Sequence, residues 1–176
     1  MENNDILGQV MITREQISQR VKELGKQISE DYKGQEILVI GILKGAVLFL
    51  SDLIREITVD TKIDFMAVTS YGASTKSSGV VRILKDLDTG IEDEHVIIVE
   101  DIIDSGVTLH YLRDYLMNRK PKSLKICTLL DKPERREVEI KSDYTGFEIE
   151  NKFIVGYGLD YDQKYRNLPY ITCLED

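Results

Sequence analysis

Between residues 96 and 108 the chain reads VIIVEDIIDSGVT, and two kinds of chemistry meet there. Glu100, Asp101 and Asp104 are carboxylates, able to accept hydrogen bonds from hydroxyls, to ligate a hard cation or to take a proton. Ser105, Gly106 and Thr108 form a short turn of small residues that opens a predicted helix. The backbone N–H groups of such a turn, helped by two hydroxyls, suit an anion such as a single phosphate. An ordinary strand-to-helix turn capped by Asp104 or Ser105 fits the same residues. The adjacent acids point further. Two carboxylates directly after an apolar strand need hydroxyl donors or a divalent cation as partners. A sugar phosphate supplies both, with its hydroxyls toward Glu100 and Asp101 and its phosphate in the turn.

The elements that must position these residues follow from periodicity. Thr13 to Gln16 matches a capping box, and Ile17, Val21, Leu24 and Ile28 then recur at helical spacing, predicting a helix that ends near Gly34. ILVIGIL, residues 37–43, is a continuous apolar run of strand length, as in a buried parallel strand. Lys44-Gly45 breaks it, and Val47, Leu50, Leu53, Ile54 and Ile57 mark a second helix. Strands are predicted over 64–70, 81–86, 96–100 and 123–132, and a helix with Leu109, Leu112, Tyr115 and Leu116 on one face follows the acidic turn. The alternation predicts an α/β fold with a mainly parallel sheet flanked by helices. The tail from about residue 144 breaks the alternation and predicts a small β-rich hood lobe, built with part of the N-terminus. The domain core is then about 13–143 of a single domain. Ligands of open α/β sheets sit beyond the carboxyl ends of the strands. Lys44, Asp101 to Thr108 and Lys132 each follow a predicted strand and therefore converge on one sheet edge.

Bulk properties narrow the classes. With 176 residues and a net charge of −8, one acidic domain is expected, and general nucleic-acid binding is not. The longest apolar stretch is interrupted by Lys44 and glycines, so no membrane span is expected, and the N-terminus reads as no signal peptide. A cytoplasmic protein is the expectation. Cys127 and Cys173 lack zinc spacing. GxGxxG and GxxxxGK[ST] are both absent, which sets aside dinucleotide and P-loop nucleotide sites.

VIIVEDIIDSGVT resembles the phosphoribosyl pyrophosphate-binding motif of the type I phosphoribosyltransferases, and its Glu-Asp-Ile-Ile-Asp-Ser-Gly form is similar to the hypoxanthine–guanine branch. GILKGAVLF, TSYGAS, LLDKPERR and GFEIENKFIVGYGLDYDQKYRNLPYI match in order, so the resemblance runs from about Ile12 to Ile171. It implies the type I phosphoribosyltransferase fold and transfer of phosphoribose from phosphoribosyl pyrophosphate to hypoxanthine or guanine with Mg²⁺.

The resemblance also implies roles. Glu100 and Asp101 would hold the ribose and a metal ion, and Asp160 a second one. The donor would be bound by Lys44, Gly45, Glu100, Asp101, Asp104, Ser105, Gly106, Val107, Thr108 and Arg166. Asp104 would serve as the catalytic group at the N7 edge of the base. Lys132 carries only donors and would favour a 6-oxo over a 6-amino purine. Phe153 would stack on the base, and Ile154 and Asp160 would meet its 2-position. Ser70 and Tyr71 would begin a closing lid, and the loop peptide Lys44–Gly45 is one that can be cis in relatives. The family implies homodimers or homotetramers.

Two departures stand out: Val107 where some relatives carry a basic residue, and Gly158, which implies a looser base pocket. Of the run Lys132 to Arg136 only Lys132 is given a role, the rest reading as a solvated turn. His95 and His110 have no partner at metal spacing. Two rivals remain in view. A nucleotide-sensing regulator that binds RNA should show a basic face, and a phosphoacceptor domain should carry acids after its first strand, where ILVIGILKG has none.

Overall fold

The computed structural model describes residues 6–70 and 80–175. Its main sheet contains β2 (Ile37–Leu43), β3 (Thr61–Ser70), β4 (Val81–Lys85), β5 (His95–Ile103), β6 (Ser123–Asp131) and β7 (Tyr144–Glu148). Their spatial order is β4-β3-β2-β5-β6-β7. Every neighbouring pair is parallel except β3–β4. Helices α1 (Arg14–Asp31) and α2 (Val47–Ile54) cover one face, and α3 (Val107–Met117) covers the other.

The apolar run of β2 is explained by burial on both sides. Ile37 and Val39 face α1 and α2, while Leu38, Ile40 and Ile42 face the α3 side. The capping box forms as expected, with the Thr13 side chain accepting from the Gln16 amide and Gln16 reaching back to the Thr13 amide. Below it Ile17, Val21, Leu24 and Ile28 form the buried stripe of α1. Truncating Leu24, which is fully buried, to alanine would cost about 2–5 kcal/mol.

Two boundaries differ from expectation. β5 runs three residues past Glu100, to Ile103, because β6 continues to pair with it through Ile103↔Asp131. The acids therefore lie inside the last turns of the strand, not after it. β7 pairs with β6 in parallel, so Tyr144–Glu148 extends the main sheet, and the hood begins beyond it. The hood sheet is β1 (Leu7–Ile12), β9 (Ile171–Leu174) and β8 (Ile154–Val155), in the order β1-β9-β8. It has no separate core: Ile12, Ile154, Tyr157, Leu159 and Ile171 belong to the cluster that also holds α1 and α2. That shared packing fixes the hood over the carboxyl ends of the strands.

Candidate active site

Four segments meet where β2, β5 and β6 end. The first is the acid pair. Glu100 and Asp101 each turn one oxygen back to a neighbouring amide: Asp101 N donates to Glu100 Oε1 at 3.0 Å, and Ile102 N to Asp101 Oδ1 at 2.7 Å. Neither has a Lys or Arg within salt-bridge distance among the described residues. Burial, together with the neighbouring Asp101 charge, pushes the Glu100 carboxyl well above the usual range. Burial also raises Asp101, against its hydrogen bonds and the more distant Arg166. Two half-buried acids side by side hold charge poorly and invite hydroxyl donors or a cation.

The second segment is the turn after β2. The cis peptide here is Leu43–Lys44, one bond before the Lys44–Gly45 step singled out in the sequence. The Lys44–Gly45 peptide itself lies in the turn that Val47 N closes onto Lys44 O at 3.1 Å. Gly45 lies against the acid pair, since a Cβ at this position would come within 1.8 Å of Asp101 Oδ2.

The third segment, residues 156–166, contributes Asp160 and Arg166. Gly158, at φ +99°, packs on the turn after β2: a Cβ there would meet Gly45 O at 2.1 Å. The glycine therefore brings two loops into contact, which corrects the expectation that it loosens the pocket. Arg166 donates to Gly158 O at 2.7 Å and pairs with Asp160 at 3.1 Å, while the Asp160 carboxylate also accepts from Gln163 N at 2.9 Å. Gln163 Oε1 lies 3.3 Å from both Lys44 Nζ and Arg166 Nη2, so one neutral amide oxygen sits between two cations.

The fourth is the small-residue turn with the segment that backs it. The first residue before α3 is Gly106 in the left-handed region at φ +83°, and it makes no side-chain cap. Asp104 does not cap α3, whereas Ser105 Oγ accepts a 3.3 Å bond from Val107 N, the first amide of the helix. Thr108 follows in the first turn. Ser105 thus takes up one amide of the helix start as a cap would, while the amides of Ser105 and Gly106 have no acceptor among the described residues.

Lys132, nearly buried, donates from Nζ to Lys152 O at 2.7 Å and lies 3.8 Å from Asp104 Oδ2. Burial lowers its pKa, opposed by Asp104. Sequence reasoning missed its neighbours. Arg135 Nε reaches Asp104 Oδ1 at 3.0 Å, and Arg136 pairs with the buried Asp131 while donating to Asp104 O at 2.7 Å. The run after β6 is therefore half clamp, not a solvated turn. Its signal was present as two arginines directly after a strand end at the ligand edge.

Phe153 is 56% exposed, its ring edge-on to Tyr161 at 5.7 Å, while Ile154 is buried in β8. Ser70 is exposed at the end of β3, and Tyr71 lies outside the described residues. His95 sits at the opposite end of β5, bonded to Ser123, and His110 lies beside Asp114 on α3.

The donor set fits Mg²⁺ in one particular way. It consists of carboxylate oxygens, and no group of three His, Cys, Asp or Glu side chains among the described residues forms a complete cage. Mg²⁺ commonly takes one or two carboxylates and completes its shell with water and substrate phosphate.

The comparisons agree with this architecture, which is the type I phosphoribosyltransferase fold. Residues 9–162 match the family model of the phosphoribosyl transferase domain, and the chain belongs to that family. A hypoxanthine-guanine phosphoribosyltransferase from Mycobacterium bovis is 55% identical over 172 residues, covering 94% of this chain and 85% of that protein. One from Bacillus subtilis is 53% identical over 175 residues, 99% of this chain and 97% of the other. A crystal structure of a hypoxanthine-guanine phosphoribosyltransferase from Bacillus anthracis, with HEPES in its active site, aligns at a TM-score of 0.93 and 52% identity. It covers 96% of this chain and 99% of its own.

Proposed function

We infer that the protein is an enzyme of purine salvage, transferring phosphoribose from phosphoribosyl pyrophosphate to hypoxanthine or guanine to give IMP or GMP and pyrophosphate. The observation that carries the base assignment is the Lys132–Asp104 pair, 3.8 Å apart at the end of β6 and β5. A 6-oxopurine presents O6 and N7 on one edge. A donor-only ammonium suits O6, and a carboxylate suits the proton at N7. Adenine would instead turn its 6-amino donors on the ammonium.

Asp104 takes that proton as N9, across the five-membered ring, bonds to C1′ of the ribose and the C1′–O bond to pyrophosphate breaks. Its carboxylate is already engaged by Arg135, which holds it in place between the two bases of the clamp. Glu100 and Asp101 accept from the ribose hydroxyls and face the positive charge that builds on the ring as pyrophosphate leaves. Ser105, Gly106, Val107 and Thr108 surround the 5′-phosphate with amides and hydroxyls. Lys44, Gly45 and Arg166 receive pyrophosphate, with Arg166 already oriented by Gly158 and Asp160. Mg²⁺, when bound with the donor, would neutralise the leaving group, and Glu100, Asp101 and Asp160 are the oxygens offered to it. Phe153 supplies the exposed ring for stacking, and the backbone around Ile154 and Asp160 meets the 2-position. Ser70, together with Tyr71 outside the described residues, would serve to exclude water from the site.

A homodimer or homotetramer is the expected assembly, and light scattering that returns the mass of one chain would sink it. The same reading puts the enzyme in the cytoplasm, where phosphorylated donors are held. The main test is product formation from phosphoribosyl pyrophosphate with hypoxanthine, guanine, xanthine, adenine and uracil, with and without a chelator. Metal-dependent IMP and GMP without AMP or UMP supports the reading. No nucleotide from any base by folded protein overturns it.

A further inference from the structure

The segment after β6 carries two arginines, Arg135 and Arg136, that have no part in binding the base. Arg136 is largely buried and has two partners. Its Nη2 pairs with Asp131, a buried carboxylate at the end of β6, and its Nη1 donates to the carbonyl oxygen of Asp104 at 2.7 Å. One residue further on, Glu137 N donates to Ser105 O at 2.9 Å. Two successive carbonyls of the small-residue turn are thus held against residues 136–137. In a trans peptide the C=O and the following N–H point in opposite directions. Holding the carbonyls of Asp104 and Ser105 on one side therefore turns the amides of Ser105 and Gly106 to the other. Neither amide has an acceptor among the described residues. The contact is also tight from below, since a Cβ on Gly106 would meet Ile140 at 2.6 Å and Arg136 Cδ at 3.0 Å.

We propose that Arg136, braced by Asp131, is a positioning residue that sets the Asp104–Ser105 peptide so that the turn presents amides, not a carbonyl, to the 5′-phosphate. The inference rests on the phosphoribosyltransferase reading and adds to it a residue that touches neither substrate. The reason an arginine stands here is geometric. A planar guanidinium can span a carboxylate and a carbonyl at once, whereas a lysine ammonium on its flexible stem acts as a point charge. Were the peptide to turn over, the carbonyl lone pairs of Asp104 would face the phosphate, and both a donor and its orientation would be lost together. The contribution is therefore to phosphate affinity, felt equally by the donor and the nucleotide product. The purine meets the Asp104 side chain and not this peptide, so its own affinity depends on the strut much less.

Steady-state kinetics and IMP binding on wild type, Arg136→Lys and Asp131→Asn test this. The expected result is a rise of about tenfold to a hundredfold in KM for phosphoribosyl pyrophosphate and in Kd for IMP, the worth of one or two charge-assisted hydrogen bonds. The KM for hypoxanthine should rise less, by no more than a few fold, because the Asp104 carboxylate that meets N7 is held separately by Arg135 and Lys132. Arg136→Ala with millimolar guanidinium ion provides a second arm, in which partial recovery of IMP affinity is expected without recovery in wild type. Unchanged donor KM and IMP affinity in Arg136→Lys would overturn the proposal. So would an equal loss toward hypoxanthine and donor with no guanidinium rescue, which marks a merely structural residue. Wild type, run alongside, separates the two levels: its inactivity overturns the enzyme reading, whereas an active wild type with an indifferent Arg136 overturns only the strut.

Discussion

Two groups of carboxylates, both close to strand ends, are treated in opposite ways by the fold. Asp86, just after β4, accepts from Tyr115 Oη at 2.6 Å and from Arg119 at 2.5 Å, and Arg119 also stacks over the Tyr115 ring. Burial pushes Asp86 up, but the arginine, the tyrosine and the Leu87 amide outweigh it and hold the carboxyl at about 2. Glu100 and Asp101 are pushed the other way, by burial first and, for Glu100, by its neighbour's charge. One group is satisfied by the protein itself. The other keeps only backbone amides as close partners among the described residues, and the proposed function puts the ribose and its metal ion there.

The largest expected effect comes from neutralising the unsatisfied pair. Asp101→Asn should lower kcat/KM by about 10²-fold or more, the usual worth of a group facing transition-state charge. Glu100→Gln should also lose activity, yet raise the Tm of ligand-free protein at neutral pH. The sign follows from linkage. A carboxyl raised above its ordinary 4.5 stabilises the fold while protonated and loses that contribution as pH rises through its folded value. Wild type should therefore fall behind Glu100→Gln as the pH is raised above the ordinary carboxylate range in thermal melts. A glutamine variant that melts lower than wild type across that range would erase the distinction between the two groups.

Much of this was legible in the sequence, and the limits have physical causes. The buried strand β2 and the stripe of α1 follow from periodicity, because burial on two faces or one leaves an unmistakable pattern. The acid pair and the small-residue turn were visible because their types are costly without a purpose. The end of β5 was not, since pairing to Asp131 on β6 overrides the look of a loop. The roles of Arg135 and Arg136 were hidden for a similar reason: a basic run looks solvated until its partners, Asp104 and Asp131, are brought to it by the sheet. Gly158 misled in the other direction. A missing side chain suggests space, whereas here it permits contact with Gly45 O.

A middle-sized effect should come from crowding the unsatisfied pair without touching its charge. Gly45→Ala places a methyl on Asp101 Oδ2, so something must move. Overpacking of this kind costs about 1–3 kcal/mol, and displacing a group at the reacting centre by about 1 Å can cost a hundredfold in rate. Gly90→Ala is the matched control, since nothing lies within 4 Å of the added methyl and the backbone there is unstrained. It should stay within about 0.5 kcal/mol of wild type. Chemical denaturation and initial rates on both variants check this, and equal behaviour of the two would remove Gly45 from the site.

The smallest effect belongs to the satisfied group. Asp86→Asn should lower stability at neutral pH by less than about 1 kcal/mol, because the pair is partly exposed and solvent screens it. The pH signature is sharper than the size. The folded carboxyl sits at about 2 against an ordinary 3.8, so the unfolded chain binds more protons between those values. Its contribution is present above 3.8 and is lost as the pH falls toward 2, which is opposite in sign to Glu100. Melts of wild type and Asp86→Asn should therefore differ at pH 5 and converge near pH 2, while activity stays close to wild type because Asp86 lies outside the ligand edge. A gap that persists unchanged at pH 2 would assign the loss to packing of Tyr115 and Arg119 and not to the charge.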